Sequence, residues 1–399
     1  MTALLVSTVR RHTSATDPSG YLYVVDLDRK RAVQRSRIIE PPYHEFDTNL
    51  RGGMRGCKGI AIREDQVVIS NYSVIFRYDP EWNLLGTFTH PSCAGVHDIM
   101  FQGETLWVTS ARTDILMQFS LSGELLQHYY LREPSLALEE LRWKPALLLQ
   151  PDQIRKGSIN FLDPRTYDFG EYDRAHVNSL CILPDGDLLV SLGLIVGTDF
   201  ETLLRMKDRL IELGIWSQLM VVNRRIRSAL GIKKDKHTDL IALPIRGKSA
   251  ITRIAREGSI SLCLEIPKAT VPGHSLLLLP NNTVVYLNTT EGTVINFDPE
   301  TCQVLSTTRV GEGFLRGATS LNNQTLLLGD KQDLIMYDIR VNQVVERIRI
   351  TADSKEAVYD IKVLPPHYDL PPNSFEEHFE ALMGFSANSF IESGQVTRI

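Results

Sequence analysis

Apolar runs of alternating character, cut by short polar turns, fill most of the chain. The phrases CKGIAI, GVHDIMF, HVNSLCIL, GHSLLLL, LRGATSL and YDIKVL are the openings. All but the last lead into a turn (RED, QGE, PDGD, PNN, LNN), and a second run follows: QVVIS, TLWVTS, LLVSLG, TVVYLN, TLLLG. Alternation of period two, bounded by turn residues, predicts half-buried strands. A third strand and a hairpin partner come next in VIFRYDPEWNLLGTF, ILMQFSLSGELLQHY, TVINFDPETCQVLST and LIMYDIRVNQVVERI. Four strands in a recurring unit are the mark of a propeller blade.

Aligning the units on their turns makes Lys58, His97, Asn178, His274, Arg316 and Tyr359 equivalent, at separations of 39, 81, 96, 42 and 43 residues. Blades take about 40–50 residues, so the two long gaps require insertions. Residues 131–172 are rich in Pro and Leu, and residues 197–249 read as a helical segment followed by a basic linker. Blade three then resumes in AITRIAREGSISLCLEI. The sixth unit supplies only its first strand, and the missing strands stand at the other terminus, in ALLVSTVR and GYLYVVDLDRKRAVQRSRI. The expectation is an all-β, six-bladed propeller over residues 1–365, closed by a blade shared between the two ends. Both insertions leave from connections at one end of blade three, so they are expected to form a helical cap over one mouth of the channel. Residues 366–399 form a tail with one short helix, NSFEEHFEALMGF, capped by Asn373 or Ser374. In the second insertion Asp199 is the expected helix cap and Gly214 the break.

Composition narrows the function. A hydrophobic fraction of 43%, a charged fraction of 23% and a formal net charge of −5 are those of a soluble globular protein and give no support to a nucleic-acid binder. No apolar run is long enough to span a bilayer. The start, MTALLVSTVRR, lacks the layout of a signal peptide. The five cysteines (57, 93, 181, 263, 302) are odd in number and far apart. Reduced thiols and a cytoplasmic location are therefore expected. There is no Walker loop, no G-x-G-x-x-G, no H-E-x-x-H and no G-x-S-x-G, so no nucleotide cofactor is expected.

The ring positions hold the candidate chemistry. His97 and His274 occupy the same place in their blades, and His176 lies two residues before Asn178, one layer nearer the mouth. Each histidine alone reads as a hydrated group of the channel wall; three together read as catalytic His97, His176 and His274. Lys58, Asn178, Arg316 and Tyr359 are the expected substrate contacts, with Asp98 and Asp360 beside them, although alternation points those two carboxylates sideways between blades. A guanidinium at Arg316 would grip a carboxylate, sulfate or phosphate by a two-bond fork, and a histidine would move the proton. The same three histidines also form a candidate site for a divalent transition metal, which the positive charges of Lys58 and Arg316 oppose. The favoured reading is an enzyme acting on a small anionic or electron-rich molecule by lyase, isomerase, hydrolase or group-transfer chemistry. The alternative is a ligand-binding or protein-interaction propeller without turnover. In the second insertion Ile215, Trp216, Leu219, Met220 and Val222 precede Arg224, Arg225, Arg227, Lys233, Lys234 and Lys236. Residues 200–236 could thus pack on the propeller, act as a lid, or meet a membrane surface or a partner.

The phrases VHDIMF, AHVNSLCIL, VPGHSLLLLPNNTVVYLNTT, GFLRGATSL and EAVYDIKVLP, in that order, resemble a family of uncharacterised bacterial six-bladed propellers. The recurring motifs of that family run S-H-D, H-L-N-G, P-H-S, F-L-R-G and F-D-I. The resemblance covers roughly residues 50–365. It implies the propeller fold and sets His97, Asp98, His176, Asn178, His274, Ser275, Arg316 and Asp360 at motif positions, without implying a reaction. The chain departs from the motifs at Val96 and Ser179. In architecture alone, His and Arg converging in a six-bladed ring is similar to arylsulfotransferases, in which a histidine carries the transferred group.

Overall fold

The structure, a computed structural model, describes residues 2–47, 54–145, 161–166, 173–196, 206, 209–230 and 247–375. It contains six four-stranded antiparallel sheets arranged as a ring, a six-bladed β-propeller. The blade shared by the termini uses β1 (Ala3–Arg10), β2 (Tyr21–Asp26) and β3 (Arg31–Arg37). Blade one is β4 (Ile60–Ile62), β5 (Val67–Ser70), β6 (Ile75–Tyr78) and β7 (Leu84–Phe88). Blade two is β8 (Val96–Gln102), β9 (Thr105–Ser110), β10 (Ile115–Ser120) and β11 (Leu125–Tyr130), followed by the short helix α1 (Leu136–Glu140). Blade three has β12 (Val177–Ile182) and β13 (Leu188–Val196), then the helix α2 (Trp216–Ala229), then β14 (Gly247–Ile254) and β15 (Ile260–Ala269). Blade four is β16 (His274–Leu278), β17 (Val284–Asn288), β18 (Thr293–Asp298) and β19 (Gln303–Arg309). Blade five is β20 (Leu315–Ser320), β21 (Thr325–Asp330), β22 (Asp333–Asp338) and β23 (Gln343–Arg349), and β24 (Glu356–Leu364) completes the shared sixth blade by pairing with β1.

Alternation along each strand sends side chains to two different neighbours. On β9, Leu106 and Val108 pack toward blade one with Val68 and Ile75, while Trp107 packs toward blade three with Leu180 and Val190. Every pair of adjacent blades is sealed by such a cluster. The ring closes where Leu5, Leu22 and Val24 of the shared blade meet Ile60, Val67 and Ile69 of blade one. Closure buries the apolar blade faces that an open array would leave exposed at its two ends.

Both long insertions leave from one end of blade three. The first precedes Val177, which pairs with Leu192; the second joins Val196 to Gly247, which are themselves paired. Leu138, Leu141 and Trp143 of the first insertion fill the wedge between blades two and three. Farther on, Phe161 packs between blades one and two, and Arg165 stacks on Tyr43 and Phe46. In the second insertion, Gly214 (φ +67°) closes a helical turn, with its N–H bonded to Ile211 and that of Ile215 to Leu210, the pairing that ends a helix at a left-handed residue. Asp199 and most of the expected C-terminal helix lie outside the described residues. Ser374 forms a strand-like bridge with Arg37, and Phe375 packs on Tyr78 and Trp82, so the beginning of the tail is docked across the shared blade and blade one.

The cysteines require a correction. Cys263, on the outer strand of blade three, is paired in a disulfide with Cys302 in the β18–β19 turn of blade four. The expectation of five reduced thiols failed because 39 residues of sequence separate two positions whose Cα atoms lie 5.2 Å apart across adjacent blades. Cys57, Cys93 and Cys181 are free and buried. No helix among the described residues is long and apolar enough to cross a membrane.

Candidate functional site

The ring positions coincide with irregularities in the innermost strands. The ladder slips between Val96 and Ile99, Val177 and Ser179, His274 and Leu276, and Arg316 and Ala318, and again where β24 passes Tyr359. A bulge leaves a residue out of the ladder and re-aims its side chain. At these slips one residue faces the channel and the next approaches the following blade: His274 and Arg316 stay paired with Leu287 and Gly329 while Ser275 and Gly317 drop out of the ladder, and in blade six Tyr359 itself drops out. Asp98 Oδ2 accepts the N–H of Leu180 (3.1 Å), Asp360 Oδ2 that of Ile60 (2.9 Å), and Ser275 Oγ that of Gly317 (2.9 Å). In blade five that following position is Gly317, at φ +72°, where a Cβ would lie 2.9 Å from the Asp360 Cα. Asp98 and Asp360 line the channel cavity, but each also reaches across to an N–H of the next blade. Asn178 likewise donates from Nδ2 to the Gly273 carbonyl at 2.6 Å.

Blade three presents His176 to the mouth from just ahead of β12, at φ +53°, a backbone region sparsely used by non-glycine residues and found at functional sites. The imidazole centroids of His97 and His176 are 4.8 Å apart, those of His97 and His274 5.9 Å, and those of His176 and His274 6.0 Å. One ring nitrogen from each lies within 4.8 Å of the other two. Tyr359 stands 5.5 Å from His97, with Lys58 Nζ 4.5 Å over its ring and the Arg316 guanidinium at 5.2 Å. Phe314 supports Arg316 and Arg11 on its ring, at 4.7 and 4.5 Å. The structure thus brings together Lys58, His97, His176, His274, Arg316 and Tyr359. A cavity of about 60 Å³ continues inward from His97 and His274 past Asn178 and Tyr359 to Asp98, Asp360 and Lys362, room for a few small polar atoms or waters.

The electrostatics are lopsided. Lys58 and Arg316 are 5% and 6% exposed. Neither has a carboxylate partner among the described residues, and the Arg316 Nε is buried without a hydrogen bond. Burial, then the repulsion of Arg316, Arg11 and Arg112, holds the Lys58 ammonium well below the ordinary lysine range. His97 is held well below the usual imidazole range by burial and by His176 and Lys58, and His274 by burial and by Arg316 and His176. Among the described residues, the carboxylate that meets these histidines is Asp173, which accepts from His176 Nδ1 (2.9 Å) and from Arg112 (2.7 Å). Sequence reasoning missed Asp173, Arg11, Phe314 and Thr289. Only the first left a signal, the Asp-x-x-His spacing of DRAH.

No family model and no curated protein sequence matches this chain. Among solved structures, a protein of unknown function from Bacteroides caccae is similar at 10% identity and a TM-score of 0.49, over 90% of this chain and 97% of that one. A streptogramin B lyase is similar at 12% identity and a TM-score of 0.42, over 75% and 70% of the respective chains. A luciferin-regenerating enzyme gives 9% identity and a TM-score of 0.43, over 74% and 76%. At these values the likenesses carry no argument about activity.

Proposed function

We propose that this propeller is an enzyme acting on a small anionic molecule held at the channel mouth. The observation that supports this reading is the pair Lys58 and Arg316: two buried basic groups with no carboxylate among the described residues to neutralise them. Burying an unpaired charge is costly, and a bound carboxylate, sulfate or phosphate would remove that cost. Arg316, whose guanidinium lies 4.7 Å from the Phe314 ring centre and 5.2 Å from that of Tyr359, carries the planar fork that such a group matches. The imidazoles of His97, His176 and His274 face the same space. Kept neutral by their surroundings, His97 and His274 offer an unprotonated nitrogen toward whatever Arg316 holds, which suits proton abstraction or leaving-group chemistry better than proton donation.

Thermal stabilisation by small carboxylates, sulfates and phosphates tests the anion site directly. A fitting anion at a hundred times its dissociation constant adds about 2.7 kcal/mol to stability. That gain should vanish in Arg316→Ala and shrink in Arg316→Lys. Turnover of each stabilising anion, followed by NMR, then separates an enzyme from a binding module: His274→Gln should abolish turnover while sparing stabilisation. Equal stabilisation of wild type and Arg316→Ala by every anion would remove the site from this place.

A further inference from the structure

We infer that His97, His176 and His274 ligate one divalent transition-metal ion through their Nε2 atoms. The ground is the hydrogen bonding behind the three rings, independent of the anion reading. His97 Nδ1 lies 2.6 Å from the Gly95 carbonyl, which can only accept, so this nitrogen carries the proton. His176 Nδ1 lies 2.9 Å from the Asp173 carboxylate, and the same conclusion follows. His274 Nδ1 lies 3.3 Å from the Thr289 hydroxyl, whose own hydrogen is committed to the Leu315 carbonyl at 2.9 Å. Thr289 must therefore accept, and His274 donates from Nδ1.

All three imidazoles are thereby fixed in one tautomer, with the Nε2 lone pair free. The Nε2 atoms of His176 and His274 are buried and have no hydrogen-bond partner. One ring nitrogen from each histidine lies within 4.8 Å of the other two, and lone pairs gathered so closely repel one another unless an acceptor of electron pairs lies between them. A proton could serve one nitrogen; a metal ion serves all three. Imidazole sets of this kind, each braced through its second nitrogen by a carbonyl, hydroxyl or carboxylate, are the usual outer support of a metal centre. Three nitrogen ligands leave coordination positions open.

The nitrogens lie within 4.8 Å of one another, whereas two ligands of one tetrahedral ion at ordinary bond lengths are about 3.4 Å apart. Each ring would therefore move inward by under about 1 Å, within the reach of side-chain rotation. Asp173 adds negative charge behind His176, against the opposing charge of Lys58. An anion gripped by Arg316 would reach an open position of the ion, which would polarise its oxygen as a Lewis acid.

Titration of the metal-stripped full-length protein with Co²⁺, followed by visible absorption and by Zn²⁺ competition, tests the inference without any substrate. The expected result is one equivalent bound, with ligand-field bands of a four- or five-coordinate ion. His97→Ala and His274→Ala should each abolish the bands. Asp173→Asn should weaken binding about 10- to 100-fold while keeping their shape. Because a ring variant can fail to fold, the wild type supplies a second reading: long-range ¹H–¹⁵N spectra should show three metal-free imidazoles protonated at Nδ1, whose Nε2 signals shift on adding one equivalent of Zn²⁺. Absence of saturable one-equivalent binding, or Nε2–H tautomers for these rings, would overturn the metal site. Neither result touches the Arg316 anion site, which the stabilisation experiment tests on its own.

Discussion

Two lysines point toward the same channel and behave in opposite ways. Lys362 lies beside Asp360, with Nζ 3.0 Å from Oδ1. Burial alone would lower its proton affinity, but Asp360 and Asp98 outweigh that and hold its pKa above the ordinary value. Lys58 is the more deeply buried of the two, has no carboxylate, and is driven in the other direction. The inner end of the cavity is a closed account of charges: Asp360 takes Lys362 and the N–H groups of Ile60 and Ile361, and Asp98 takes the N–H of Leu180. The mouth is not closed. Depth in the fold does not separate a structural ion from a functional one; what separates them is whether the protein supplies the partner.

The sharpest way to break this contrast is to remove one partner at the inner end. Asp360→Ala leaves Lys362 unpaired and the Ile60 amide without its acceptor, just where the shared blade meets blade one. It should lower stability by about 3–5 kcal/mol, read from urea unfolding. A loss below 1 kcal/mol would mean that the inner cluster is no more closed than the mouth. Arg316→Ala should do the reverse, leaving the ligand-free protein as stable as wild type or more so, while deleting the stabilisation of about 2.7 kcal/mol that a saturating anion confers. Lys58→Met exchanges an unpaired amine for an apolar chain of similar length, and a gain of about 1 kcal/mol is expected. A loss as large as that of Asp360→Ala would show that Lys58 has a structural partner after all.

The last effects are those of pH on the metal-free protein. His97 and His274 have folded pKa values below the unfolded imidazole value of about 6.5. Their contribution to stability is thus present above that pH and is lost as the pH falls through it. Asp98 acts with the opposite sign. Burial, reinforced by Asp360, raises its carboxyl to about 7, so the folded state holds its proton more tightly and stability declines as pH rises from about 4 to 7. Between pH 5 and 7 the two trends oppose each other. His97→Gln should flatten the loss of stability on acidification, and Asp98→Asn should steepen it, by up to about 1.4 kcal/mol per pH unit for each group. Identical profiles for the two variants would refute the assignment of either group.

By itself the sequence determined the number of blades and their closure. Period-two runs and turn residues recur often enough to count six units, and the split of one unit between the ends is visible in GYLYVVDLDRKRAVQRSRI and AVYDIKVLP. It also assembled a ring of equivalent positions, because aligning on the turns is the same operation as rotating about the propeller axis. The rest depended on contacts between residues far apart in the chain. Strict alternation cannot register a bulge, so the division of labour between each ring residue and its neighbour, and the left-handed backbone at His176, became visible only in three dimensions. The Cys263–Cys302 pair bridges blades that the sequence holds 39 residues apart. Which nitrogen of each histidine carries a proton was decided by Gly95, Asp173 and Thr289, and which lysine keeps its charge by the position of Asp360. Local sequence sets the strand and its period, whereas the charge state of a buried group is set by whatever the folded chain brings to face it.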